Sequence, residues 1–84
     1  MRWRLTEPQK ALLKLLPKTF MLRVDYRKGN CPPTVVTDLS GRELFRFGRG
    51  HLRAFDSLWH LGAVHKAAGH NHGDLYISEF QRRA

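Results

Sequence analysis

The sequence predicts a single α+β domain spanning residues 1–84. Three observations carry that prediction. Two stretches, LTEPQKALLKLL (5–16) and HLRAFDSLWHL (51–61), repeat apolar residues at helical spacing. Between and after them lie short runs that alternate apolar and polar side chains, as in FMLRVDYR (20–27). With 84 residues, 42% of them hydrophobic, the chain has material for one core and no more. A domain of this size buries only about 60% of its unfolded surface, so a partner or a second copy could add stability.

The first helix is expected over residues 7–16. Thr6 is placed to cap it, and Gln9 follows at the spacing of a capping box. Pro8 is tolerated in a first turn, where its missing N–H would have no partner, and Pro17 ends the segment. Ala11, Leu12, Leu13, Leu15 and Leu16 form a wide apolar face opposite Glu7, Lys10 and Lys14. A strand follows at 20–27, with Phe20, Leu22, Val24 and Tyr26 on one side and Arg23, Asp25 and Arg27 on the other. KGNCPP (28–33) reads as a loop.

Residues 34–47 read two ways. As strands, TVVTDL and RELFRF form a hairpin turning at Ser40-Gly41; as a helix, DLSGRELFRF would require Gly41 in its interior. The β-branched content and the Ser-Gly turn favour the hairpin, and an interior glycine costs a helix about 1 kcal/mol. A second helix is expected over 50–61, burying Leu52, Phe55, Leu58 and Trp59, with His51 and Ala54 at the margins. Arg49, Arg53, Asp56, Ser57 and His60 face outward, and Gly62 stands where a C-cap is needed. AVHKAA (63–68) and DLYISEF (74–80) read as two strands joined by the polar tip GHNHG (69–73). Residues 1–5 form a basic arm, and residues 81–84 a frayed tail.

Charge narrows the function classes. Fifteen Lys and Arg oppose seven Asp and Glu, a net charge of +8, and such a surplus suits a polyanionic partner. Its distribution is uneven: residues 1–30 carry eight bases and two acids, residues 31–84 seven bases and five acids. No apolar run is long enough to span a bilayer, and the N-terminus lacks the apolar stretch of a secretory signal, so a cytoplasmic location without membrane attachment is expected. The single cysteine, Cys31, permits no intrachain disulfide and gives no basis for a Cys-based metal site.

The order helix, strand, hairpin or helix, helix, hairpin resembles the winged helix-turn-helix superfamily, and is similar to small proteins of phages and mobile elements in which a β-insert stands in place of the second helix. LTEPQKALLKLL looks like the opening helix, HLRAFDSLWHLGAV like the third helix with its exit, and AVHKAAGHNHGDLYISEF like the wing. The resemblance implies a small winged-helix-like domain that binds double-stranded DNA. The helix at 50–61 would then act as the recognition helix through Arg49, Arg53, Ser57 and His60. Lys10, Lys14, Arg23, Lys66, His70 and His72 would meet phosphates or carry the wing contacts.

Other chemistries find less support. His60, His65, His70 and His72 match no standard ligand spacing and are joined by no carboxylate cluster, so no metal is expected. The tripeptide His70-Asn71-His72 is not a nuclease motif, and no Gly-rich phosphate loop or nucleophile–base set appears, so neither catalysis nor a cofactor is expected. The sequence therefore points to a small transcriptional regulator or accessory factor. The alternative is an inhibitor or adaptor of phage type that binds a host protein or nucleoprotein complex through the basic N-terminal region. Either is compatible with a homodimer.

Overall fold

A computed structural model of the chain describes residues 4–29 and 32–84. Cys31 and most of the expected N-terminal arm lie outside these residues, whereas Leu5 is partly buried against the core. The element order is α1 (Glu7–Leu15), β1 (Thr19–Asp25), a 3-10 turn (Tyr26–Lys28), β2 (Thr34–Thr37), β3 (Glu43–Arg46), α2 (His51–Leu61), β4 (Val64–His72) and β5 (Leu75–Arg82). The strands form one antiparallel sheet in the order β3-β2-β1-β5-β4. The fold is thus α+β.

Local chemistry accounts for the element boundaries. Thr6 Oγ1 accepts from the Gln9 N–H at 3.4 Å and Gln9 Oε1 accepts from the Thr6 N–H at 2.9 Å, a reciprocal capping box. At the other end the Leu16 N–H closes α1 on the carbonyls of Leu12 and Leu13 before Pro17. Residues 34–47 form the hairpin. Asp38 sets its turn by accepting from the Ser40 N–H at 2.9 Å, the Ser40 hydroxyl at 2.6 Å and the Arg42 N–H at 2.9 Å. These bonds, led by the Ser40 hydroxyl, hold the Asp38 carboxyl below its ordinary pKa. Gly41 has φ +94°, a conformation no helix interior contains, which rules out the helical alternative there.

Both helices cover one face of the sheet. Phe20, Val36, Val64 and Phe80 on the strands meet Leu12, Leu13 and Leu16 of α1 and Ala54, Phe55 and Leu58 of α2 in one cluster. At its centre Phe20 and Phe80 stack at 5.8 Å, and Phe55 stands edge-on to both, at 6.1 and 5.0 Å. His51 starts α2 by accepting the Gly48 N–H on Nδ1 at 2.9 Å while its ring lies against Phe45 and Phe47.

Three expectations need correction. The polar tip is not a five-residue loop: β4 runs to His72, and Gly73-Asp74 alone makes the turn, because pairing with β5 continues to His72 opposite Leu75. A bulge between Lys66 and Ala68 takes up one residue of β4. The tail is not frayed at its start. Gln81 and Arg82 belong to β5, the Arg82 N–H bonds to the Lys18 carbonyl at 2.8 Å, and the Arg83 N–H bonds to the Ala63 carbonyl at 2.8 Å. Finally, Leu15, Leu52 and Trp59 are exposed, so the buried stripes of both helices are narrower than their apolar patterns.

Candidate nucleic-acid interface

The residues expected to contact DNA do not share one surface. On α2, Arg53 is exposed and Ser57 half-buried, and both border a crevice against Thr6, Pro8 and Gln9 at the start of α1. Arg49 is exposed just ahead of Gly50, the residue that caps α2. His60 is committed locally: its Nδ1 lies 2.8 Å from the Asp56 carbonyl oxygen and 3.5 Å from the Asp56 carboxylate, one turn back. The outer surface of α2 therefore offers two arginines, a partly covered hydroxyl and a histidine–carboxylate pair.

The hairpin residues divide between the two faces of the sheet, because strand side chains alternate. Lys66 pairs in register with Phe80 and so lies on the helix-covered side, bordering the groove beneath α2. His70 and His72 face the opposite way, their rings stacked 6.4 Å apart. They cannot act with Lys66 on a single ligand surface. Arg23 is on the helix-free face too, in a row that crosses all five strands as Arg46, Val35, Arg23, Ile77 and His70.

Beside that row is a cleft of about 330 Å3 bordered by Arg23, Arg27, Arg46, Asp25, Val35 and Pro33. Two of its three guanidinium groups are already engaged. Arg27 meets Asp25 in a two-bond fork at 2.9 Å, and this hydrogen bonding, with the nearby charge, raises the Arg27 pKa. Arg46 pairs with Glu43 at 3.3 Å. Similar local pairs join Lys10 to Glu7 at 3.6 Å and Arg42 to Asp38 at 3.5 Å. Among the described residues, Arg4, Lys14, Lys18, Arg23, Arg49, Arg53, Lys66, Arg82 and Arg83 make no such ion pair. Apart from Arg23 on the sheet and Arg82 and Arg83 at the end of β5, these cations belong to the helices, their flanking residues and the groove beneath α2.

That groove is the feature sequence reasoning missed. It holds about 300 Å3 between α2 and the β4–β5 hairpin, with Leu22, Val24, Phe55 and Phe80 toward its floor and Leu52, Trp59, Tyr26 and Tyr76 around it. Trp59 meets Phe80 edge-on at 5.3 Å, and Tyr26 meets Tyr76 edge-on at 5.3 Å. The available signal was the surplus of large apolar residues on α2 over what a short α1 and one sheet face can cover.

Among the described residues no three His, Cys, Asp or Glu side chains gather closely enough to hold a metal ion. No helix there is long and apolar enough to cross a membrane. No protein-family model matches the sequence, and no curated protein or solved structure matches it.

Proposed function

We propose that this chain is a non-enzymatic DNA-binding protein, a small transcriptional regulator or accessory factor built as a winged-helix variant. In this reading the β2–β3 hairpin occupies the place of the second helix, and β4–β5 is the wing. Two features of the layout support it: α2 passes through Gly62-Ala63 directly into β4, and β5 returns beside β1. Without a second helix to brace it, α2 is better suited to lie along the phosphate backbone than to insert deeply into the major groove.

The observation that carries the reading is where the positive charge remains. Four of the seven acids, Glu7, Asp25, Asp38 and Glu43, sit in local ion pairs with Lys10, Arg27, Arg42 and Arg46. Arg4, Lys14, Arg49 and Arg53 are exposed on or beside the two helices, clear of those pairs. Cations spread along two adjacent helices can follow a polyphosphate, whereas isolated pairs would contribute little. Lys66 lies close enough to α2 to join them, and Arg23, His70 and His72 do not.

The test is binding to a random duplex pool at about 50 and 200 mM salt, with sequencing of the bound fraction. Steep salt dependence is expected. Arg53→Ala should weaken binding by roughly 1–3 kcal/mol, and adding Arg49→Ala should reduce the slope against log salt by about 1.8 in total. Absence of duplex binding at both salts would refute the reading and direct attention to a protein target.

A further inference from the structure

We propose that the groove between α2 and the β4–β5 hairpin is a base-stacking site for single-stranded nucleic acid. The proposal rests on the nucleic-acid reading above and adds a second form of ligand, at a groove that shares only Lys66 with the duplex contacts. Its starting point is exposed aromatic surface concentrated at one place. Tyr26, Trp59 and Tyr76 are 48, 43 and 46% exposed, Leu52 is 63% exposed, and all four border the same groove. Small monomeric domains rarely leave large apolar side chains contiguous in this way without a ligand for them.

The dimensions and charge select the occupant. A groove of about 300 Å3 is at the lower end of ligand-site volumes, large enough for flat heterocycles. Unpaired bases stack on aromatic rings with little regard to sequence, and the strand's phosphates need cations nearby. Lys66 borders the groove and makes no ion pair among the described residues, and the whole chain carries +8. Lys66 also has room to lie along β4: its Cε would be only 3.0 Å from a Cβ at position 69, which glycine lacks. Thr34, Asp56 and Ser78 add polar groups that can meet a base edge. A base inside a duplex is stacked on both faces and cannot enter, so this site distinguishes single from double strands.

The experiment uses the full chain with two fluorescently labelled probes of equal length, a mixed-sequence single strand and the corresponding duplex, at about 50 mM salt. Anisotropy measures binding to each. In a Trp3→Phe background, emission reports on Trp59 alone. The single strand is expected to quench Trp59, and Tyr76→Ala to weaken single-strand binding roughly 5- to 150-fold while duplex binding changes less than about twofold. Tyr76→Phe keeps the ring and should restore single-strand binding, which separates stacking from a folding defect. Arg53→Ala should show the opposite preference, weakening the duplex more than the single strand.

Duplex binding without single-strand binding would overturn this inference and leave the proposed function standing. Equal loss on both probes in Tyr76→Ala would also overturn it, because the groove would then not discriminate between the strands. Binding of neither probe would remove the inference together with the reading it rests on, and would leave the groove as a surface for a protein partner.

Discussion

Replacing Arg82 with methionine should destabilise the domain by about 2 kcal/mol, although nothing in the sequence sets this residue apart from its neighbour Arg83. The Arg82 Nη1 group donates to the Leu13 carbonyl at 2.9 Å and to the Leu16 carbonyl at 3.2 Å, across a separation of 69 and 66 residues. The last carbonyls of a helix lack a full set of partners within it; that of Leu13 also accepts the Leu16 N–H at 3.2 Å, and Arg82 gives both it and the Leu16 carbonyl a charged donor. A hydrogen bond to a charged donor contributes about 1.5–3 kcal/mol. Two bonds shared by one nitrogen on a half-exposed side chain count as little more than one, and a cation at a helix C-terminus adds about 0.3–1 kcal/mol. Methionine preserves most of the apolar stem, so the loss isolates the guanidinium. For a domain of this size, about 2 kcal/mol corresponds to a fall in Tm of roughly 8–16 °C. Urea unfolding followed by circular dichroism gives the free energy directly, with an unchanged m-value expected. If Arg82→Met is within about 0.5 kcal/mol of the parent, the tie between β5 and α1 contributes nothing measurable and the reasoning fails.

Two further substitutions examine the hairpin and the core. Asp38→Ala removes the acceptor of three hydrogen bonds and should loosen the β2–β3 turn, seen as faster amide exchange at Ser40 and Arg42. Because the folded state lowers the Asp38 pKa, its contribution is present above the ordinary carboxylate range and is lost as pH falls through the lowered value. The stability gap between parent and Asp38→Ala should therefore narrow in acid, and a gap that widened would contradict the assignment. Phe80→Ala removes the ring that stacks on Phe20 and supports Phe55 and Trp59, at an expected cost of about 3–5 kcal/mol. In a Trp3→Phe background, Trp59 emission should shift to the red on this substitution, and an unshifted spectrum would mean the indole does not rest on Phe80.

Much of the fold was legible because its signals are local. Thr6 and Gln9 cap α1 through contacts three residues apart, and the alternation in β1 places Phe20 and Leu22 opposite Arg23. The hairpin at 34–47 was readable from Val35, Val36 and Ser40-Gly41, and Asp38 provides its lock within four residues. The candidate site was less legible. Arg49, Arg53, Ser57 and His60 were placed on the outer side of α2, but the crevice that half-buries Ser57 belongs to α1. Lys66, on the strand before the polar tip, was grouped with His70 and His72 of the tip as contacts of one wing. The bulge at Lys66/Ala68 and the extended pairing of β4 put them on two faces.

Periodicity determined which side of each element is apolar, and composition determined that the chain carries an excess of cations. Neither states how far a neighbouring element reaches, and reach decides the rest. With nine residues α1 spans about 14 Å, and with eleven α2 spans about 16 Å, whereas the nine residues of β4 extend about 30 Å. Helices of that length cover the half of the sheet holding Phe20 and Phe80 and leave the end holding Tyr76, beside Tyr26 of the 3-10 turn, open to solvent. Leu52 and Trp59, apolar residues on the inward pattern of α2, consequently line a groove instead of filling the core. Arg82 likewise became structural only because β5 returns its end to the last turn of α1. Which side chains are buried, and which remain for a ligand, was decided by tertiary structure, because burial requires an opposing surface that the pattern of a single segment cannot supply.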